Sequence, residues 1–350
     1  MTHADIVTLI HTQDRILGCL YGQALGDTMG MPSELWPKSR VEQHFGWINT
    51  LLDGPAENIA ANEFKAGEYT DDTAQCVALM DAIIEAKGDI EPYLIASHIM
   101  AWAKRINAFE KNILGPTSKA ALNALDQGIS FEEIEANGVT NGSAMRVSPI
   151  GCLLPTYDRA TFINGVRLSC LPTHKSDIAI AGASVIAWAI SRAIEGASWN
   201  IIKQEIIPLA NETQQTFEST FSPLLGERIQ YALNVVASEH NEQQGLTNLY
   251  QKVGAGMDII ESIPTAIALV ELSNTDPHLC AELAANLGGD TDTIGAMATA
   301  ICGAIHGINR ISNDTVNQIN RANRANRANR IDFTPYAAAL CQFREANLSK

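Results

Sequence analysis

Two short acidic clusters could do chemistry, and they stand more than 200 residues apart: Thr70-Asp71-Asp72-Thr73 and Gly288-Gly289-Asp290-Thr291-Asp292-Thr293. Each offers hard oxygen donors, carboxylate and hydroxyl, which suit Mg²⁺ or Mn²⁺ better than Zn²⁺. The simpler reading is capping, because Thr and Asp are preferred at helix starts and first-turn carboxylates favour the positive end of the helix dipole. Capping needs one such residue, whereas Asp71 and Asp72 are adjacent and repel each other unless a cation or solvent separates them. Gly288 and Gly289 allow the backbone to approach closely whatever is held at the second cluster. The pair together points to a divalent-ion site at two helix starts that also keep a capping role. It predicts that the fold brings the starts of two remote helices together.

The elements that must position these clusters are helices. Apolar residues recur with helical period over Ile16–Leu25, Thr73–Ala86, Tyr93–Ala103, Lys119–Leu125, Ile178–Ile194, Ile259–Leu272, Ala281–Leu287 and Ile294–Ile308. Strand alternation is almost nowhere sustained. Ala and Gly occupy many core positions, which lets helix axes approach closely. The segment Gly18 to Gly30 in particular reads as a glycine-spaced helix that packs tightly and ends at Met31-Pro32-Ser33-Glu34. Turn signals such as Asp53-Gly54-Pro55, Gly115-Pro116, Asn141-Gly142 and Asp276-Pro277 punctuate the chain, and none is long enough for an interdomain linker. The polar stretch His44 to Glu68 precedes the first acidic cluster and reads as a mobile loop beside the site. The Asn-Arg-Ala repeat of residues 320–330 has period three, which gathers its arginines on no single helix face, and it reads as a solvated helix or connector.

Composition narrows the function classes. A chain of 350 residues can bury a large core. A net charge of −15 argues against nucleic acid or an anionic membrane surface as partner. Seven scattered cysteines without a Cys-x-x-Cys pair read as buried thiols in a reducing compartment. The N-terminal residues lack a signal-peptide pattern, and the apolar run Ile178 to Ile190 is short for a membrane span. A cytoplasmic protein is expected.

Further segments join the clusters. Thr140-Asn141-Gly142-Ser143-Ala144-Met145-Arg146 is a glycine-bearing loop whose backbone N–H groups could hold phosphate oxygens. Gly18-Cys19-Leu20, Gly26-Asp27, Glu34, Tyr69 to Thr73, Asn141 to Arg146, Thr173-His174 and Gly288 to Gly295 follow one another in an order that resembles the ADP-ribosylglycohydrolase family. They span residues 18 to about 309.

The resemblance implies an all-α fold, a compact orthogonal many-helix globule with a central metal cleft. It implies a single domain over 1–350, with a motif-bearing core of about 12–312 and a C-terminal helical extension at 313–350. It implies hydrolysis of the bond between C1 of the distal ribose and an acceptor, releasing ADP-ribose from an ADP-ribosylated protein or a small ADP-ribosyl compound. The cofactors it implies are two Mg²⁺ or Mn²⁺ ions, with ligands at Glu34, Thr70, Asp71, Asp72, Asp290, Asp292 and Thr293. Five carboxylates would carry about −5, which two divalent ions nearly balance. Glu34 is a candidate for the catalytic base and Asp290 is its rival. Asn141, Gly142, Ser143 and His174 would contact substrate, with Gly115 opening a second backbone cradle. The family often has glycine where this chain has Thr140. The adenine stack is open between Trp36, Trp47 and Phe109. The implied centre fits within one chain, so a monomer is expected.

Two other readings compete. A non-catalytic, crystallin-like or ADP-ribose-binding member of the same family would keep the fold without turnover, although all seven ligand positions are intact. An all-α prenyl-diphosphate enzyme would need Asp-Asp-x-x-Asp, and residues 71–75 read Asp-Asp-Thr-Ala-Gln.

Overall fold

Glycine at every fourth position sets the central contact of the molecule. The first helix carries Gly18, Gly22, Gly26 and Gly30 in one stripe, and the fourteenth runs antiparallel to it through Gly303, Thr299, Gly295 and Thr291. A Cβ added at any of the four stripe positions would lie 2.1–2.4 Å from a backbone oxygen of the facing helix. The two backbones therefore touch along four turns, which only a residue without a side chain permits.

This description rests on a computed structural model, which describes residues 3–111, 114–130, 133–134, 137–217, 220–238, 241–325 and 332–348. Among them lie sixteen α-helices and no named strand. The first eight are α1 (His3–Gly30), α2 (Lys38–Phe45), α3 (Asp71–Glu85), α4 (Pro92–Arg105), α5 (Pro116–Asp126), α6 (Ser148–Leu153), α7 (Arg159–Cys170) and α8 (Asp177–Ile194). The rest are α9 (Trp199–Thr216), α10 (Leu225–Ala237), α11 (Glu242–Asn248), α12 (Ile259–Leu272), α13 (Pro277–Ala285), α14 (Thr291–His306), α15 (Asn313–Ala325) and α16 (Thr334–Leu348). The fold is all-α, and each segment with helical period falls in a helix, with overshoots of one or two residues at three C-terminal ends.

One apolar cluster runs from Ile16 to Cys341 and draws on α1, α8, α12 and α14. Helix α8 is at its centre, with every residue buried except Arg192. It is long and apolar enough to cross a membrane by composition, yet 94% of it is buried inside the protein, the setting of a core helix. The seven cysteines are buried and free. At the C-terminal end, α16 lies against α1 and α6. Its buried Arg344 donates to the carbonyls of Gly151, Cys152 and Leu154 and to Glu195.

Candidate active site

The antiparallel seam delivers the end of α1 to the start of α14. The Thr291 hydroxyl donates to Gly30 O at 2.8 Å, locking the two ends together. The chain then makes a single 3₁₀ turn, Met31–Ser33, and turns out to Glu34. The Asn58 side chain, buried beneath this turn, donates to Pro32 O (3.1 Å) and Glu34 O (2.9 Å). Across it, Leu35 N–H donates to Gly289 O and Gly289 N–H donates to Trp36 O. Gly288 and Gly289 both sit at left-handed φ, 81° and 86°, and a Cβ on either would strike the backbone of Lys38 or Ala255 within 2.5 Å. Ala255 O in turn receives the Asp290 N–H (2.8 Å) just beyond a π-helical turn at Leu249–Val253.

The two acidic clusters meet, as their pairing predicts. The Thr70 hydroxyl lies 2.9 Å from Asp27 Oδ1, 3.0 Å from Asp72 Oδ2 and 3.3 Å from Asp292 Oδ2. It has one proton to give to three carboxylate oxygens. Oxygens of Asp27, Asp72 and Asp292 all lie within 4.8 Å of one another, in a buried group. The capping role survives in half: Asp71, Asp72 and Asp292 stand in the first turns of α3 and α14, but the N-cap side chains do not bond back. Thr70 and Asp290 occupy the N-cap positions of α3 and α14 and neither makes a side-chain cap bond, whereas Asp158, Ser176, Asn241 and Asp276 do so on other helices. The Thr70 hydroxyl turns to the acidic group and Asp290 Oδ2 accepts from Asn141 instead.

Asp27 is the residue the sequence quoted without a role. Its Oδ1 accepts from the Thr70 N–H and hydroxyl, and its Oδ2 from the Thr73 N–H (3.0 Å) and hydroxyl (2.6 Å). Both oxygens are engaged, so although Asp27 belongs to the group by distance, we read it as the brace that ties α1 to the start of α3. By contrast Asp72 Oδ1 is buried without a hydrogen-bond partner among the described residues. A buried carboxylate oxygen left bare is costly unless a cation or proton meets it.

Electrostatics tell the same story. Burial first, then neighbouring carboxylates, raises Glu34, Asp72 and Asp292 well above the ordinary range. Burial likewise raises Asp71 to about 7, and Asp27 and Asp290 to about 6. Asp71 is tethered by Gln75 (3.2 Å) and Asp290 by Asn141 (2.6 Å). An all-oxygen donor set, one bare carboxylate oxygen and one hydroxyl proton shared by three acids fit a hard divalent ion.

A cavity of about 680 Å³ opens onto Glu34, Thr70 and Asp71, with Asn58 to Ala60, Phe64, Trp36 and Arg40 among its other walls. The His44–Glu68 stretch thus does border the site, and its first two residues finish α2. Of the three aromatic candidates, Trp36 lines the cavity, with Arg40 stacked 4.0 Å over its ring. Trp47 is bonded to Glu282, and Phe109 is not on the cavity wall. The residues expected to contact substrate do not line this cavity, and of them Asn141 reaches the acidic group through Asp290. Asn141, Ser143 and His174 are buried, and Gly142 packs against the His174 ring. Gly115 is exposed at the start of α5, with open space around it, while Ser118 on the next turn reaches toward Gly142.

The repeat at 320–330 is also corrected in part. Asn323 is buried, and its amide donates to Gly67 O (2.9 Å), bracing the backbone just before Thr70; Asn320 pairs with Tyr21. The asparagines, three apart on α15, form an inward face, while Arg321 is exposed. Residues 326–330 lie outside the described residues.

An all-α fold whose remote helix starts converge on one acidic group defines the class, and comparison with known proteins identifies it. The chain belongs to the ADP-ribosylglycohydrolase family, whose model matches residues 8–345. It is 56% identical over 338 residues to the uncharacterized protein YegU of Escherichia coli (strain K12), covering 95% of this chain and 98% of that one. It is 26% identical over 319 residues to human ADP-ribosylhydrolase ARH3, covering 85% and 86% of the two chains. It is 24% identical over 310 residues to ADP-ribosylarginine hydrolase Tri1 of Pseudomonas putida (strain GB-1), covering 87% and 74%. A solved structure titled "ADP-ribosylglycohydrolase-related protein complex" shares the fold, with a TM-score of 0.68 at 22% identity, covering 95% of this chain and 99% of that one.

Proposed function

We propose that this chain is a divalent-metal-dependent hydrolase that cleaves the C1 bond of the distal ribose in N- or O-linked ADP-ribosylated acceptors and releases ADP-ribose. One observation carries the reading: Glu34, Thr70 and Asp71 open onto the cavity from the same acidic group that the Asp290–Thr293 turn completes. Glu34, Thr70, Asp71, Asp72, Asp290, Asp292 and Thr293 would hold the ions. Two Mg²⁺ or Mn²⁺ ions bound there neutralise the carboxylates and acidify water.

The remaining chemistry belongs to the side chains. Glu34 is half-buried at the cavity wall, where a water at the substrate could reach it, and burial and neighbouring carboxylates raise its affinity for a proton. Asp290 is buried and held from behind by Asn141, so its oxygens are fixed in place. We therefore assign Glu34 to accept the proton of the water that attacks C1, as the acceptor departs from an oxocarbenium-like centre. The half-buried Asp71, tethered by Gln75, lines the cavity beside Glu34, where a ligand role toward the ions would bring it next to the substrate.

Arginine- and serine-linked ADP-ribosyl peptides, each assayed with Mg²⁺ and with Mn²⁺ for released ADP-ribose, test the proposal. Release is expected on at least one linkage, to be lost on chelation and to fall about 100-fold or more in Glu34→Gln. Tight ADP-ribose binding with no turnover on any linkage would instead mark a non-catalytic binding protein.

A further inference from the structure

A buried arginine sits behind the site and makes no direct ion pair among the described residues. Arg146 is 1% exposed and burial lowers it only to about 10, so it stays charged. Its Nη1 donates to Gln75 Oε1 (3.0 Å) and to Gly142 O (3.0 Å), and its Nη2 donates to Thr173 Oγ1 (2.7 Å). From Thr173 the chain of contacts continues to His174 Nδ1 (2.9 Å), and from His174 Nε2 to Thr140 Oγ1 (3.1 Å). From Gln75 it continues to Asp71 Oδ2, and the residue after Thr140, Asn141, returns to Asp290. One end of the relay reaches the acidic group at Asp71, and the other ends on Thr140, whose neighbour in the chain, Asn141, holds Asp290.

A guanidinium can only donate, and this fixes the direction of every bond. Gln75 must turn its oxygen to Arg146 and its NH₂ to Asp71. Thr173 accepts from Arg146 and is fully buried, so its own proton goes to His174 Nδ1. His174 is then an acceptor at Nδ1 and carries its proton on Nε2, from which it donates to Thr140. The Thr140 hydroxyl, partly exposed, is left with a proton to offer outward. We propose that Arg146 is a positioning residue that sets the polarity of this relay, holding His174 as the neutral Nε2–H tautomer so that Thr140 presents a hydroxyl donor to an anionic or hydroxyl oxygen of the bound ADP-ribosyl group. Burial and the nearby Arg146 charge push His174 down to about 3, in keeping with a ring that stays neutral at working pH. Gly142 belongs to the same device, because a Cβ there would lie 2.7 Å from His174 Cε1. The role assigned to Thr140 rests on the function proposed above; the tautomer does not.

The test is ¹⁵N NMR of the full-length protein labelled at histidine, combined with calorimetry using ADP-ribose as probe in Mg²⁺. Wild type is expected to show His174 as a fixed Nε2–H imidazole from pH 6 to 8. Thr173→Val removes the donor to Nδ1 at nearly constant shape and should convert the signal to a tautomer mixture. Thr140→Val should leave the tautomer intact and weaken ADP-ribose about tenfold, the loss of roughly one hydrogen bond. Arg146→Met should do both; if it does not fold, the two threonine variants still decide. A Nδ1–H signal in wild type, or an unchanged tautomer in folded Thr173→Val, overturns the relay. Unchanged ADP-ribose affinity in Thr140→Val overturns the role given to that hydroxyl. No ADP-ribose binding by wild type with the Nε2–H tautomer present would sink the proposed function and leave the relay standing.

Discussion

Replacing Gly26 with alanine sets two opposed effects against each other at the α1–α14 seam. In an ordinary helix interior the change is stabilising, by about 1 kcal/mol of helix propensity. Here the new Cβ would lie 2.1 Å from Gly295 O, 2.3 Å from its carbonyl carbon and 2.7 Å from Ala296 N, all of them backbone atoms. An ordinary contact needs about 3.4 Å or more, so the helix axes must part by on the order of 1 Å. Overpacking of that kind costs about 1–3 kcal/mol or more, and since four turns share the seam we expect the upper end. The net effect should be a loss of about 1–2 kcal/mol. For a chain of this size a melting temperature moves by about 1.4 °C per kcal/mol, so a drop of roughly 1.5–3 °C should be visible. Urea denaturation of wild type and Gly26→Ala measures the energy directly, with Gly115→Ala, which meets open space, changing by about 0.5 kcal/mol or less. Because the seam ends at the Gly30–Thr291 bond, Mg²⁺ affinity measured by calorimetry should fall in parallel. A Gly26→Ala protein as stable as wild type would refute the steric account and leave propensity in charge.

Other perturbations address the acidic group itself. Asp27, Asp71 and Asp290 have folded values raised to about 6, 7 and 6 from 3.8, so the folded chain binds more protons than the unfolded one. Their contribution to stability is full below about pH 4 and is lost as pH rises through 6–7, on the order of 3 kcal/mol for a group moved to about 6. Chelated protein should therefore lose stability in urea between pH 5 and pH 8, and saturating Mg²⁺ should flatten the slope; a curve that rises with pH in chelator contradicts this. Asp72→Asn removes a buried carboxylate facing Asp292 and Asp71, and at pH 8 in chelator it should melt higher than wild type while losing Mg²⁺ binding. Asn58→Ala frees the Glu34 turn at a cost of about 1–3 kcal/mol and should lower kcat more than it changes KM. A KM effect alone would place Asn58 in substrate binding.

The helices were legible because their apolar period is strong, and the Gly18–Gly30 stripe announced a close contact without naming the partner. The pairing of α1 with α14 was not legible, since the facing stripe mixes Gly295 and Gly303 with Thr299 and lies at the other end of the chain. Convergence of the acidic clusters followed from the cost of adjacent carboxylates, which is a local property. Asn58 had no such signal, and Asp27 and Arg146 stood inside motifs without a role: each acts through a partner distant in sequence, and a lone polar residue in an apolar helix or turn looks the same whether it braces a site or not. The buried asparagine face of α15 was hidden because a period of three drew attention to the arginines. Side-chain capping failed because it treated each helix start alone, when Thr70 had partners in the acidic group and Asp290 had one in Asn141.

The seam has a consequence for synthesis. Gly30 and Thr291 are 261 residues apart, and α1 is a glycine-rich helix whose main partner is made almost last. A nascent chain holds Asp27, Glu34 and the Asp71–Asp72 pair for most of translation without Asp290 and Asp292 to close the site. Such a chain has an incomplete acidic group and exposes one face of α1 while it waits. On the proposed function, ion loading would then report completion of the chain, and a ribosome stalled before residue 291 should yield a product that neither holds metal nor stays soluble unaided.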